Sequence, residues 1–174
     1  MYPYLLLLAI TFLLPPDNDN RIDWTANRKL VWGDFQGQPV QNSDNVALTS
    51  SHINFQFGYG GGKFTYSIRC SFDKKRSWAR VKSDYILNHE QRHFDIAEIH
   101  ARKLKKALLN YQYKEATAEQ DVTAIHDRIM KEHHQMQATY DLETDHSRNE
   151  SSQEKWEYRI DSTLKALVPF SKYK

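Results

Sequence analysis

The regular alternation of apolar and polar side chains between residues 46 and 72 constrains the fold more than any other feature of this sequence. In "KFTYSIRCSF", residues 63–72, every second side chain is apolar, and "INFQF", residues 53–57, alternates in the same way. A period of two residues is typical of strands with one buried face. The glycine-rich "GYGGG", residues 58–62, predicts the hairpin loop between these strands. We therefore expect an antiparallel sheet with one face in solvent.

The spacing of apolar residues changes to that of helices from about residue 83 onward. Ser83 or Asp84 can cap a first helix, which we predict to end near Tyr111, and a second helix fits residues 116–138. A run of strands followed by a run of helices is typical of the α+β class. The sequence therefore predicts an N-terminal antiparallel β-sheet packed on a C-terminal set of about three helices.

The start of the last helix is predicted from a capping pattern. Residues 141–152, "DLETDHSRNESS", are polar and predict a loop. Ser151 and Glu154 have the spacing of a capping box, so a helix is expected to begin there. Pro169 is expected to end it.

Length, charge and cysteine content exclude several classes of protein. A chain of 174 residues is long enough for one domain with its own core, and we assign residues 20–174 to a single domain. The net charge of +2 and the scattered basic residues exclude an extended nucleic-acid-binding surface. Cys70 is the only cysteine, which excludes an internal disulfide and a cysteine-based zinc site. The sequence gives no indication of the oligomeric state.

The first residues of the chain form an apolar segment. "YLLLLAITFLLPP", residues 4–16, is too short for a membrane span and fits the hydrophobic region of a secretory signal. We interpret residues 1–16 as a signal peptide or hydrophobic N-terminal segment. The expected location is therefore secreted or periplasmic, with no stable membrane span. A buried N-terminal segment or a short uncleaved anchor is the alternative.

The stretch "LNHEQRHFDIAE", residues 87–98, contains the pattern His-Glu-x-x-His within the first predicted helix. A spacing of four residues places His89 and His93 on one helical face, where both imidazoles can bind one metal ion. Glu90 projects beside that ion and can take a proton from a water molecule on it. This arrangement is typical of zinc hydrolases. A surface helix with fortuitous histidines is the competing interpretation.

A catalytic zinc ion needs a third protein ligand. His100 lies seven residues beyond His93 and is too far along an unbroken helix to bind the same ion. The residues that remain as candidates are Glu98, His126, His133, His134, Asp141, Glu143, Asp145 and His146. Among them His146 is favoured, because it lies in a polar loop that can face the buried first helix.

Four sequence blocks carry a resemblance to a known family. They are "LVWGDFQG" (30–37), "SW" (77–78), "LNHEQRHFDIAEIHARKL" (87–104) and "YDLETDHSRNESSQEKW" (140–156). The chain resembles the bacterial domain-of-unknown-function family 922, which is described in terms of secreted zinc-dependent peptidases. The resemblance implies a zincin-like core, His89, His93 and His146 as metal ligands, Zn²⁺ as cofactor and Glu90 as the catalytic base. Ser147 stands where we expect glycine in many members, and a left-handed backbone there would be strained.

Other polar residues of these blocks have two possible roles each. Asp95 and Arg102 either orient a ligand histidine or form a solvated helix face, and we favour the solvated face. Asp141 or Asp145 is expected to accept a hydrogen bond from a ligand imidazole. Tyr140 is a candidate for stabilising the oxyanion of a tetrahedral intermediate.

The function predicted first is an exported zinc metallopeptidase that hydrolyses peptide bonds, with a peptide or protein as its substrate. A peptide would lie beside the first helix and add to an edge of the sheet. One alternative is a non-catalytic, metal-stabilised binding module of the cell envelope. Another is a zinc hydrolase that acts on a non-peptide bond such as a cell-wall amide.

Overall fold

The structure is a computed structural model that describes residues 20–173, so the predicted signal segment at residues 1–16 lies outside the described residues. The strands are β1 (Arg21–Asp23), β2 (Ala47–Leu48), β3 (Ser51–Gly60), β4 (Lys63–Asp73) and β5 (Trp78–Ala79). The α-helices are α1 (Asp84–Leu109), α2 (Ala118–Thr144) and α3 (Glu150–Ala166). Strands thus precede helices, which confirms the predicted α+β class.

The two alternating segments form the antiparallel hairpin β3–β4, and β1 pairs antiparallel with the other side of β4. The order β1–β4–β3 leaves β3 at an edge of this sheet. β2 and β5 form a separate antiparallel pair. The chain therefore reaches the edge strand β3 directly from the short strand β2, with two residues between them.

The loop predicted over residues 58–62 is wrong in length. β3 continues to Gly60, which pairs with Lys63, so only Gly61 and Gly62 connect the strands. Their φ angles of 57° and 74° are the left-handed values that a two-residue hairpin turn needs. Glycine adopts these values at no steric cost, so the glycines serve the turn and not a longer loop.

Helix α1 packs its apolar side on the sheet. Its cap is Ser83, whose Oγ accepts a hydrogen bond from the Ile86 amide at 3.2 Å. The rings of Phe94 and Phe72 have centroids 5.9 Å apart. The core between helix and sheet also includes Ile68, Cys70, Ala97, Ala101 and Leu104. This packing fixes the position of the His-Glu-x-x-His segment, because that segment lies in the same half of the helix as Phe94.

The polar loop predicted over residues 141–152 is present but shorter, and covers residues 145–149 only. Helix α2 continues to Thr144, and α3 begins at Glu150 with Asn149 as its cap. The Oδ1 atom of Asn149 accepts a hydrogen bond from the Ser152 amide at 3.1 Å, so the capping box predicted at Ser151 does not form the start of the helix. The last turn of α2 is polar on its outer side only, since Tyr140 and Thr144 are fully buried.

Helix α3 and the C-terminal half of α2 pack on α1 through a second apolar cluster. Its buried members are Ile96, Ile99, Tyr140, Trp156, Ile160 and Leu167. No helix within residues 20–173 is both long enough and apolar enough to cross a membrane.

Asp95 and Arg102 lie inside the protein, so the predicted solvated face is wrong. The Oδ1 atom of Asp95 accepts hydrogen bonds from Trp24 Nε1 and Gln91 Nε2, both at 2.8 Å. Arg102 Nε donates to Glu98 Oε1 at 2.8 Å. Charged side chains can be buried when such partners replace water. These groups connect α1 to its surroundings and lie outside the metal-binding face described below.

Candidate metal centre

Helices α1 and α2 bring three metal-ligand atoms together. The Nε2 atoms of His89 and His93 lie 3.2 Å apart on α1. The Oδ1 atom of Asp141, on α2, lies 3.2 Å from the first and 2.9 Å from the second. Ligand atoms around a tetrahedral zinc ion with bonds of about 2.1 Å lie about 3.4 Å apart. The three atoms could therefore hold a metal ion together.

His146 lies beside this group, at the rim. Its Nδ1 atom is 3.7 Å from Asp141 Oδ1, and its side chain is 47% exposed. The three atoms that approach each other within 4.8 Å belong to His89, His93 and Asp141. His146 as a metal ligand remains a prediction, and Asp141, an alternative in the sequence analysis, occupies the nearer position.

The other candidates for a third ligand have different surroundings. Glu98 and Glu143 are hydrogen-bonded to Arg102 and Trp156, respectively. Asp145 pairs with Arg148, and the ring of His126 stacks on Phe55. His133 is hydrogen-bonded to Gln137 and His134 is exposed.

Two glutamines contact the far side of the ligand imidazoles. His89 Nδ1 lies 3.1 Å from Gln153 Oε1, and His93 Nδ1 lies 2.5 Å from Gln137 Oε1. A carboxylate was predicted in this role, and the sequence did not indicate that glutamines would take it. Gln137 lies one helical turn before Asp141, and this spacing is the signal that could have revealed it.

Tyr140 packs its ring against both imidazoles. Its centroid lies 4.5 Å from that of His89 in a stacked arrangement, and 5.0 Å from that of His93 edge-on. Its hydroxyl is directed to the His89 carbonyl oxygen at 3.5 Å, and the side chain is fully buried. The predicted oxyanion role does not fit this placement. The tyrosine instead restricts the rotation of the two rings.

The charges of His93 and Asp141 depend on each other. Burial lowers the pKa of His93, but the hydrogen bond and charge of Asp141, helped by Glu90 and Gln137, outweigh burial and raise the pKa to about 9. Burial also raises the pKa of Asp141, but hydrogen bonds with His89 and His93 hold it well below its usual range. The raised pKa of His93 means that protons and metal ions compete for this imidazole.

Glu90 lies beside the triad at the wall of a cleft. Its side chain is buried, and its Oε2 atom has no hydrogen-bond partner among residues 20–173. The cleft has a volume of about 340 Å³, and its walls also include His89, His93, Asp141 and His146. Residues 45–51 also line the cleft. A buried carboxylate without a partner needs a group that donates a proton or hydrogen bond, and the cleft is where a substrate or water can supply one.

The turn that follows α2 holds His146 in an unusual backbone conformation. Asp145, His146 and Ser147 have φ angles of 48°, 49° and 73°. Left-handed residues other than glycine are strained, and such strain is found preferentially at functional sites. The expectation that Ser147 would be strained by a left-handed backbone is confirmed.

Comparisons with known proteins identify one family. The model of DUF922, bacterial protein of unknown function, matches residues 15–147. The match includes the cleft residues of α1, Asp141 and His146, and it ends before Gln153. No curated protein and no solved structure shows significant similarity to the chain.

Proposed function

Because the chain belongs to the bacterial DUF922 family, whose function is unknown, we propose a function from its own residues: a zinc-dependent metallopeptidase that is exported to the periplasm or the cell exterior. The observation that carries this proposal is the placement of Glu90. A buried carboxylate oxygen without a partner lies in the same cleft as three ligand atoms spaced 2.9–3.2 Å apart. The apolar segment at residues 4–16 supports export.

His89, His93 and Asp141 would hold the metal ion through two imidazole nitrogens and one carboxylate oxygen. A bound zinc ion polarises a carbonyl group and lowers the pKa of a coordinated water molecule. Glu90 has a separate task, since it is no member of the triad and its Oε2 is free to receive a proton. It would take that proton from the attacking water and deliver it to the leaving amine.

The cleft supports an extended polypeptide as the substrate. Residues 45–51 line it as a continuous stretch, and they lead directly into β3 at the edge of the sheet. Edge strands bind extended chains through their main-chain hydrogen-bonding groups. A substrate strand in this position would pass over His89 and His93, with Glu90 beside the bond to be cleaved.

The position of His146 gives a second candidate function. If its side chain joined the three other ligands, four protein groups would surround the metal ion. Structural zinc sites are closed by four ligands, whereas catalytic sites keep one position for water. A metal-stabilised binding module of the cell envelope would have the closed form. The distance of 3.7 Å between His146 Nδ1 and Asp141 Oδ1 is the observation that favours this alternative.

The test of the metal site is zinc content by elemental analysis. Wild-type protein is compared with the variants His93→Ala, Asp141→Ala and His146→Ala after refilling with zinc. We expect about one zinc ion per chain in the wild type, loss of zinc in the first two variants and retention in His146→Ala. Loss in His146→Ala and retention in Asp141→Ala would make His146 the third ligand. A wild type without zinc would contradict the proposal.

The test of the activity uses Glu90→Gln with an unfolded, fluorescently labelled protein as the substrate. We expect this variant to retain zinc and to lose hydrolysis, because the amide keeps the size of the side chain but cannot take a proton. Full hydrolysis by Glu90→Gln would contradict the mechanism. Cobalt-substituted protein then separates the two candidate functions, since only an open site changes its absorption spectrum when a hydroxamate is added.

A further inference from the structure

The two ligand imidazoles are each held by a glutamine amide, and an amide can be turned in two ways. With its oxygen toward the ring it accepts a hydrogen bond from Nδ1–H, and with its nitrogen toward the ring it donates one. In the first orientation the hydrogen of the neutral ring is on Nδ1, so Nε2 has a free lone pair that can bind the metal ion. In the second orientation the hydrogen is on Nε2, which then cannot bind the metal ion. The orientation of Gln137 and Gln153 therefore decides whether His93 and His89 can bind zinc.

Two acceptors fix the orientation of Gln137. Its Nε2 lies 2.9 Å from the His93 carbonyl oxygen and 3.1 Å from His133 Nε2. A turned amide would place its oxygen against the carbonyl oxygen, which is repulsive. His133 Nε2 must accept, so the hydrogen of the neutral ring is on Nδ1, which has no partner among residues 20–173.

The surroundings of Gln153 repeat this arrangement. Its Nε2 lies 3.5 Å from the Tyr85 carbonyl oxygen and 3.3 Å from Glu157 Oε1. Glu157 Oε1 also accepts a hydrogen bond from Asn88 Nδ2 at 2.5 Å. Each glutamine amide thus donates one hydrogen bond to a backbone carbonyl of α1. It donates a second to a side-chain atom that acts only as an acceptor, His133 Nε2 for Gln137 and Glu157 Oε1 for Gln153.

The spacing along the helices is the same in both arrangements. His133 lies four residues before Gln137 on α2, and Glu157 lies four residues after Gln153 on α3. Residues four apart are neighbours on a helix face, so neither arrangement needs a long or flexible contact. His133 is 7% exposed and Gln153 is fully buried, so little water reaches these two side chains.

We propose that His133 and Glu157 are positioning residues of the metal centre. Each one orients a glutamine amide, and each amide holds a ligand imidazole with its hydrogen on Nδ1 and its lone pair on Nε2. The inference rests on the metal-binding part of the proposed function and is independent of peptide hydrolysis. Groups of this kind typically change metal affinity by about 10- to 100-fold.

The test compares variants that remove an acceptor with variants that keep one. His133→Leu and Glu157→Leu remove the acceptor, and we expect zinc affinity, measured by competition with a chelator, to fall by about tenfold in each. His133→Gln and Glu157→Gln present an amide oxygen at the same reach, and we expect affinity near that of the wild type. Far-UV circular dichroism identifies a variant that fails to fold.

The control variants are Gln135→Leu and Glu154→Leu. They change an exposed glutamine on α2 and an exposed glutamate on α3 that has no hydrogen bond to Gln153. We expect neither to change zinc affinity. Equal affinity of His133→Leu, Glu157→Leu and the wild type would overturn the inference, and so would failure of the glutamine variants to restore affinity in folded protein.

A second measurement separates this inference from the proposed function. The ¹⁵N chemical shifts of the His133 ring in metal-free protein should show hydrogen on Nδ1 only, and the side-chain amide signal of Gln137 should move in His133→Leu. These shifts need no bound zinc. If the wild type takes up no zinc but shows these chemical shifts, the proposed function is refuted and the positioning role of His133 is not. Hydrogen on His133 Nε2 would refute the positioning role.

Discussion

Ser147 has a backbone conformation that serine rarely adopts. Its φ of 73° is left-handed, and its side chain is 7% exposed. A left-handed residue other than glycine costs about 1–2 kcal/mol. The two residues before it, an aspartate and a histidine, are left-handed as well, so three consecutive residues of the turn that presents His146 have this conformation.

Replacing Ser147 by glycine should stabilise the protein by about 1 kcal/mol, because glycine adopts this φ without strain. The measurement is the free energy of unfolding in urea. The matched control is Ser162→Gly, at an exposed position inside α3, where the same change should destabilise by about 0.5 kcal/mol. A loss of stability in Ser147→Gly would show that the serine hydroxyl has a contact that outweighs the strain.

His100 is a fully buried histidine outside the metal-binding face. Burial, together with the charge of Lys103, lowers its pKa to about 4, although the hydrogen bond between its Nδ1 and the Ile96 carbonyl opposes this. The unfolded chain binds a proton at this residue near pH 6.5, and the folded protein binds it only near pH 4. Between these values the unfolded state holds more protons, so stability must fall as the pH falls.

We expect His100 to contribute a loss of stability on the order of 3 kcal/mol between pH 6.5 and pH 4. His100→Met keeps an apolar side chain of similar length and removes the titration. The measurement is the free energy of unfolding across this pH range for both proteins. Parallel curves for the variant and the wild type would contradict the assignment, whereas a flatter curve for the variant would support it.

At the scale of elements, the start of α3 depends on Asn149. Its side chain accepts a hydrogen bond from Ser152 N at 3.1 Å, whereas Ser151 is exposed and lies inside the first turn. Asn149→Ala should therefore cost about 1 kcal/mol of stability, as is typical for the loss of an N-terminal cap. Ser151→Ala should cost little. Thermal unfolding of both variants distinguishes them, and a larger effect at Ser151 would place the cap where the sequence pattern predicted it.

The elements were predictable where their signals are local. The alternation that ends at Phe72 and the cap at Ser83 depend on neighbouring residues only, and both predictions agree with the structure. The end of α2 depends on tertiary packing. Its last turn contains polar side chains such as Glu143, and only the burial of Tyr140 and Thr144 against α1 and α3 separates that turn from a loop.

At the scale of the whole molecule, the same distinction applies to the candidate site. His89 and His93 were predictable because they lie one turn apart on one helix. Asp141 joins them from α2, 48 residues beyond His93, because of the way that helix packs across α1. Gln137 and Gln153 could not be distinguished from other polar helical residues, since only the contacts between helices direct their amides to the imidazoles.

A metal ion bound in the proposed site should stabilise the whole fold, because the three candidate ligands connect α1 to α2. A ligand that binds only the folded state, at a free concentration of 100 times its Kd, adds about 2.7 kcal/mol to the free energy of unfolding. For a chain of this length that corresponds to a rise in Tm of roughly 5–10 °C. The measurement is thermal unfolding of metal-free protein with and without added zinc.

The control for this effect is His93→Ala, which should unfold at the same temperature with and without zinc. The His93→Ala variant also lacks the contact of His93 with Asp141, which can change its Tm without any metal ion. The Tm of the variant with zinc is therefore compared only with the Tm of the same variant without zinc. An equal rise in the wild type and in His93→Ala would mean that zinc binds elsewhere on the protein. A rise in Tm in the wild type alone would show that zinc stabilises the protein by binding between α1 and α2, where His93 and Asp141 lie in contact.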